Sequence, residues 1–294
     1  MIMVLGDSIL DEYVYCSSTR MSPECSTAPV LTTPNTTEFN LGGAANTAAN
    51  IRALGGPATL LTSVAHGDYL HRMLNAWPSG EVINIRTHSE DTVKTRIYMN
   101  GEYFCRIDKD TKVETYQTRF LEEVRKNKPK YLVLSDYGKG TVPDSELLMI
   151  LTKELDIKVI VDSKKNIGKY PGSYLVKPNL KEFWEYLGWS GTPTVDRLSR
   201  DIVHEARERL NTENLVITTG SQGCIRVTEF HVEEHKAMPL KCIDPTGAGD
   251  SFLAGLVVSL YEHDDLHKAC NFANKVASVA VTKRGTQIVN RNEV

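Results

Sequence analysis

The chain has 294 residues, 41% of them hydrophobic and 24% charged, a composition that fits one large globular domain. Its net charge of −3, from 34 basic and 37 acidic residues, excludes the broad basic surface that nucleic acid would need. Six scattered cysteines form no CxxC pair, and no apolar run approaches the ~18 residues of a membrane span.

Chain order shows a repeating plan. Met1-Ile-Met-Val-Leu5 runs straight into Gly6-Asp7, which is expected to leave no place for a signal peptide. A reducing cytoplasm is the expected setting for the unpaired thiols. Apolar runs at 2–5, 59–63, 131–135, 158–162, 174–177 and 215–219 read as buried strands. Helical patterns lie between and after them, at 44–54, 117–126, 145–155, 180–186, 195–210, 251–261 and 266–282. Strand–helix alternation predicts an α/β fold with a mostly parallel sheet covered on both faces. Ligands in such sheets bind beyond the carboxyl ends of the strands.

Two segments depart from that plan. Residues 12–40 are rich in Thr, Ser and Pro, and residues 91–108 alternate like antiparallel strands, with Asn100-Gly101 as a hairpin signal. Together they predict a small β-sheet projecting from a single domain that spans residues 1–294.

Chemistry-bearing residues follow the strands. Asp7 and Asp11 are placed to bind sugar hydroxyls, or to serve as turn and cap residues. In Leu41-Gly-Gly-Ala-Ala-Asn46 the glycines, Gly43 among them, permit close backbone approach, and Asn46 adds an amide; ordinary helix entry is the alternative. Lys94, Arg96, Arg106 and Asp108 lie in the projecting β-segment, where alternate residues share a face. They form a cationic patch for an anionic group, or a solvated strand face. Asn179 and Glu182, spaced i, i+3, are suited to ordering the water shell of magnesium, or to capping a helix. Thr218-Thr-Gly220-Ser-Gln-Gly223 reads as a phosphate clamp or a hairpin turn.

The most specific run is Asp244-Pro-Thr-Gly-Ala-Gly-Asp-Ser-Phe252. Gly247, Ala248 and Gly249 open an apolar helix, whose N-terminal amides favour an anion. Asp250 in the first turn suits a base that takes a proton from a hydroxyl attacking a phosphoryl group. Other motifs fail. Ser135–Thr141 lacks the first glycine of a Walker loop, no GxGxxG follows a strand, and His231-Val-Glu-Glu-His235 is not HExxH. The pairs His231/His235 and His263/His267 are expected to be surface features.

In this order, these motifs resemble the ribokinase-like (PfkB) sugar kinases over nearly the whole chain. The N-terminal half most resembles the branch of D-glycero-D-manno-heptose 7-phosphate kinases, through Gly6–Tyr13, Arg20–Glu24, Gly42–Asn46, Lys94-Thr-Arg96, Arg106-Ile-Asp108 and Ser135–Gly140. The resemblance implies a three-layer α/β/α body under a β-sheet lid, with ATP over the C-terminal half and sugar phosphate beneath the lid. It implies Asp250 as base, with Gly247, Ala248 and Gly249 around the transferring phosphoryl. Asn179 and Glu182 would order Mg2+ through water, and K+ is a further candidate cofactor. Asp7, Asp11, Gly43, Asn46, Lys94, Arg106 and Asp108 would surround the sugar phosphate. Asn179, Thr218, Gly220, Gly223 and Asn274 would surround the nucleotide, with the 283–286 turn near the base. A homodimer through the lid is implied as well. Departures lie at Cys25–Val30, an insertion in the lid, and at Asp162-Ser-Lys164 in place of Asp-Pro-Lys. An HxGH nucleotidyltransferase segment is absent, so activation of the product is expected to fall to a separate protein. A related kinase for another sugar, or a catalytically silent binding protein, would share the fold; the intact Asp250 argues for catalysis.

Overall fold

The computed structural model describes residues 1–32, 36–66, 68–75, 77, 81–85, 90–112 and 116–294. Part of the expected lid stretch, residues 33–35, lies outside them. In chain order the strands are β1 (Ile2–Gly6), β2 (Ser8–Cys16), β3 (Thr36–Gly43), β4 (Ala58–Thr62), β5 (Val82–Asn84), β6 (Val93–Met99), β7 (Glu102–Lys109), β8 (Tyr131–Asp136), β9 (Lys158–Ser163), β10 (Leu175–Val176), β11 (Asn214–Thr218), β12 (Cys224–Val227) and β13 (Val232–His235). The helices are α1 (Ala44–Ala53), α2 (Tyr69–Asn75), α3 (Gln117–Asn127), α4 (Ser145–Glu154), α5 (Leu180–Tyr186), α6 (Arg200–Arg209), α7 (Ala248–His263) and α8 (Leu266–Ala280).

Side-chain alternation explains the three layers. In β1, Ile2 and Val4 enter one core with residues of α1, α2, α7 and α8. Met3 and Leu5 enter the other, with α3, α4, α5 and α6. Successive residues of a strand point to opposite faces, so an unbroken apolar strand needs cover on both sides. The main sheet runs β13-β12-β11-β10-β9-β8-β1-β4-β5. It is parallel from β5 to β11 and antiparallel only across β12.

A second sheet, in the order β3-β2-β6-β7, forms the projecting lid. Its first strand begins at Ser8, earlier than the expected residue 12, because it continues almost directly from β1. The Asn100-Gly101 turn joins β6 to β7 as expected; both residues have positive φ, 52° and 88°, as the tight hairpin turn demands.

Some elements differ from the sequence reading. Residues 195–210 divide into a 3-10 turn at Val195–Arg197 and α6. Ser199 Oγ accepts from Ile202 N–H at 3.3 Å and starts the helix afresh. The glycine turn at 220–223 does turn a hairpin, β11 to β12. Gly223 sits there at φ 104° with its Cα against the His235 carbonyl; a Cβ would lie 2.0 Å from that oxygen. His235, expected at the surface, is buried on β13. No helix among the described residues is long and apolar enough to cross a membrane.

Candidate active site

Helix α7 sets the geometry of the site. Gly247 caps it in the left-handed conformation, φ 78°, which glycine adopts without steric cost. The loop before it is held by Asp244, which accepts from Thr246 N–H at 2.9 Å and from Gly285 N–H at 2.9 Å. Gly249 and Asp250 bring first-turn N–H groups to the helix start, where anions are favoured. A Cβ on Gly249 would meet only Lys177 Nζ, at 4.0 Å, so the approach to these amides is open.

Asp250 is buried at 4% exposure. Its Oδ1 accepts from the Tyr137 hydroxyl at 2.8 Å, and its Oδ2 from Asn46 Nδ2 at 3.1 Å. Burial pushes this carboxyl up from its ordinary value, against the pull of Lys164 and the two hydrogen bonds. A raised carboxyl is a stronger proton acceptor, as a general base requires. Asn46 is itself fixed: its Oδ1 accepts from Asn50 Nδ2 at 2.9 Å, and Asn50 Oδ1 accepts from Val289 N–H at 2.9 Å. Asn46 thus positions the Asp250 carboxylate.

Tyr137 is a site residue that the sequence did not disclose. Removing its hydroxyl removes a donor that lowers Asp250's pKa. Tyr137→Phe is therefore expected to move the acid limb of the kcat/KM–pH profile to higher pH, with the fold retained. An unmoved limb would separate Tyr137 from the base.

Asp7 was expected at the substrate, yet both of its oxygens serve the loop after β8. They accept from Tyr137 N–H at 2.8 Å, Lys139 N–H at 3.1 Å and Thr141 N–H at 3.0 Å. It acts through Tyr137, as the clamp that holds that residue's backbone. Gly43, at φ 59°, starts α1, and a Cβ there would strike the Asp7 carbonyl at 2.3 Å; its role is this close approach.

Beneath the lid, Asp11 is 3% exposed and pairs with Arg96 Nη1 at 2.5 Å; Thr286 Oγ1 donates to its other oxygen at 3.3 Å. Arg96 lies directly opposite Arg106 across β6–β7, and Lys94 opposite Asp108. Arg106 and Asp108 form a two-point ion pair at 2.7 and 2.9 Å. Like charges facing across strands destabilise a sheet unless an anion lies between them. Arg96, Arg106 and Arg284 line one cavity of about 470 Å³, whose far wall is Asp244-Pro245-Thr246. Arg284 belongs to the turn expected beside the nucleotide base. Instead that turn packs under the lid, with Thr286 N–H donating to Tyr13 Oη at 3.0 Å. Lys94 is turned elsewhere, 5.1 Å above the Tyr137 ring, and burial holds its pKa below the ordinary value.

On the other side of Asp250, Asp162 is buried between Lys164 and Lys177, at 2.7 and 3.0 Å. Burial alone would raise the Asp162 carboxyl, but the two ammonium charges outweigh it and hold it below its ordinary value. Asn179 and Glu182 form a capping box: Asn179 Oδ1 accepts from Glu182 N–H, and Glu182 Oε2 from Asn179 N–H, both at 2.8 Å. Glu182 Oε1 is left to face Lys164 Nζ at 3.4 Å. A further cavity, about 370 Å³, is lined by Thr219, Ser221, Gln222, Glu234 and Lys236 among others. Gly220 lies in the chain between the lining residues Thr219 and Ser221, while Thr218 is tied to Pro178 O through its N–H, at 3.0 Å. Asn274, expected at the nucleotide, lies behind this wall. It is buried, and its Nδ2 donates to the His235 carbonyl at 2.8 Å, bracing α8 against β13.

The sequence matches the pfkB family carbohydrate kinase over residues 1–293. A bifunctional protein HldE of Campylobacter curvus is 32% identical over 304 residues, covering 100% of this chain and 64% of that protein. One from Pseudomonas entomophila is 31% identical over 301 residues, covering 100% and 62%. The chain therefore spans less than two thirds of the length of these relatives. Among solved structures, Escherichia coli phosphofructokinase-2 in complex with potassium superimposes with a TM-score of 0.77 at 21% identity, over 100% of this chain and 96% of that one. An Arabidopsis thaliana ribokinase complexed with ribose and ATP gives 0.76 at 19% identity, over 99% and 96%. Together they establish the ribokinase-like fold.

Proposed function

The chain belongs to the pfkB family of carbohydrate kinases, and from that premise we propose that it phosphorylates D-glycero-D-manno-heptose 7-phosphate at the anomeric hydroxyl, using ATP. The observation that carries the sugar-phosphate reading is the cavity lined by Arg96, Arg106 and Arg284 beside the loop that leads to Asp250. Arg96 and Arg106 each already face a carboxylate, but their remaining N–H donors together with Arg284 suit a phosphate monoester, which carries about −1.5 to −2 at neutral pH, better than an uncharged hydroxyl. The heptose assignment rests on the N-terminal motifs and on the HldE relatives.

In the proposed reaction, the sugar 7-phosphate docks under the lid with its anomeric hydroxyl at Asp250. As that oxygen attacks the γ-phosphorus, its proton passes to the Asp250 carboxylate. The bond from phosphorus to the bridging oxygen breaks, and ADP leaves with the electron pair. Amides at the start of α7 stabilise the charge on the transferring group. Lys164 and Lys177 stand beside this path, and the nucleotide occupies the cavity at Thr219–Gln222.

The residues present fit magnesium through water. The ion keeps several waters and takes few protein ligands besides phosphates, and Glu182 Oε1 is a carboxylate oxygen outside the capping box. Bound magnesium would neutralise phosphate charge. Glu182→Gln is therefore expected to raise the magnesium concentration needed for half-maximal rate while the capping box keeps α5 folded. An unchanged magnesium titration would remove Glu182 from this role. Potassium enters the proposal through the phosphofructokinase-2 neighbour and is tested by assay with and without the ion.

The proposal treats residues 1–294 as one kinase domain, working in the cytoplasm, and a homodimer through the lid. Edge strand β7 presents Tyr103 and Ile107 to solvent, each at 57% exposure, and an exposed apolar edge invites pairing. Ile107→Lys is expected to convert the dimer to monomer in analytical ultracentrifugation; an unaltered sedimentation coefficient would place the interface elsewhere. Incubation with ATP, Mg2+ and heptose 7-phosphate tests the reaction itself. Mass spectrometry should find ADP and a heptose bisphosphate, and 31P NMR should find the new phosphate on the anomeric carbon. Absence of the bisphosphate would reject the assignment.

A further inference from the structure

A second constellation of donor atoms lies behind the β12–β13 hairpin, apart from the kinase chemistry. Glu233 and His235 belong to β13, and His267 to the first turn of α8. One donor atom from each lies within 4.8 Å of the others. Glu233 Oε2 is 3.1 Å from His267 Nδ1 and 3.5 Å from His235 Nε2. Neighbouring ligands around tetrahedral zinc, with bonds of about 2.0–2.2 Å, stand roughly 3.3–3.6 Å apart.

The state of His235 points to a ligand. Its residue is 3% exposed, and Nε2 is buried without a hydrogen-bond partner. Nδ1 lies 2.9 Å from Asn271 Oδ1. An amide oxygen only accepts, so Nδ1 carries a proton, and in the neutral ring Nε2 then offers its lone pair to the cluster. A histidine whose other nitrogen is held in this way is the usual outer-shell arrangement of a metal site. Arg226 Nη2 donates to Glu233 Oε2 at 2.5 Å, which keeps that carboxylate ionised; an ion would share Oε2 or take Oε1. The half-exposed His267 has its Nε2 to carry the proton when Nδ1 binds.

We propose that Glu233, His235 and His267 form a binding site for a divalent transition ion of the zinc class, with a fourth position open to water. The ion would tie β13 to α8. Glu234 and Lys236, flanking His235 in sequence, line the cavity assigned to the nucleotide, so its occupancy stiffens that wall. The site stands independently of which sugar the enzyme accepts.

The test is a titration of the full chain, free of any affinity tag, with Zn2+ in competition with a chromophoric chelator. One equivalent is expected to bind and to raise the melting temperature, since binding to the folded state stabilises it. Asn271→Ala is expected to weaken zinc binding about 10–100-fold, the usual cost of losing an outer-shell partner. His267→Ala should weaken it at least as much. His267 and Asn271 lie on the exposed side of α8, so both variants should remain folded by circular dichroism. Failure of the wild type to bind an equivalent of zinc would overturn the proposal. So would an affinity unchanged in His267→Ala, which would place the metal elsewhere on the chain.

Discussion

Asp250→Asn is expected to lower kcat by about 10²–10⁴-fold, the usual contribution of a positioned acid–base group, while ATP binding stays near the wild-type value. The substitution keeps the shape of the side chain: the amide oxygen can accept from Asn46 Nδ2 where Oδ2 stood, and the amide nitrogen can donate to the Tyr137 hydroxyl, which accepts as well as donates. The fold is therefore expected to survive, and the loss reports chemistry. Rapid-quench measurement of a single turnover separates the phosphoryl-transfer step from ADP release. Wild-type turnover in this variant would remove Asp250 as the base.

The lid arginines are expected to divide into two kinds. Arg106 is about half exposed and, among the described residues, pairs with Asp108 on its own strand. Arg106→Ala is expected to weaken sugar-phosphate binding by about 1.5–3 kcal/mol, the range for a charge-assisted hydrogen bond, or roughly 10–100-fold in KM. KM for ATP should hold. Arg96 carries a second duty, because it neutralises the buried Asp11. Removing one partner of a buried pair costs about 3–5 kcal/mol, so Arg96→Ala is expected to lose both substrate affinity and stability in urea unfolding. A stable Arg96→Ala, or an Arg106→Ala with unchanged KM for the sugar phosphate, would contradict this division.

What the sequence discloses depends on whether the information is contiguous. Buried parallel strands are near-continuous apolar runs, and six of them could be placed to within about two residues. β5, β12 and β13 are short and mix polar with apolar residues, so no pattern marks them; α2 is one of the shortest helices. Asn100-Gly101 was legible because its turn geometry needs those residues. In the candidate site, the helix start at Gly247–Asp250 was legible because its glycines and its buried carboxylate fall in one run. Tyr137 was not, because it meets Asp250 from 113 residues away. Arg284 reaches the lid cavity through the Gly285–Asp244 and Thr286–Tyr13 hydrogen bonds, which no local pattern encodes. Asp7 and Asn274 show the converse: a polar residue near a ligand site in sequence can spend its hydrogen bonds on backbone.

The central claim is that this kinase acts on a sugar that already carries a phosphate. It is tested most directly by kcat/KM for heptose 7-phosphate against the same heptose without phosphate, in the wild type and in Arg106→Ala. The predicted result is a wild-type preference for the phosphorylated sugar of more than about tenfold, the equivalent of at least one charge-assisted contact, which shrinks in Arg106→Ala because only the phosphorylated substrate loses. Equal constants for the two sugars, or a preference for the free heptose, would contradict the account.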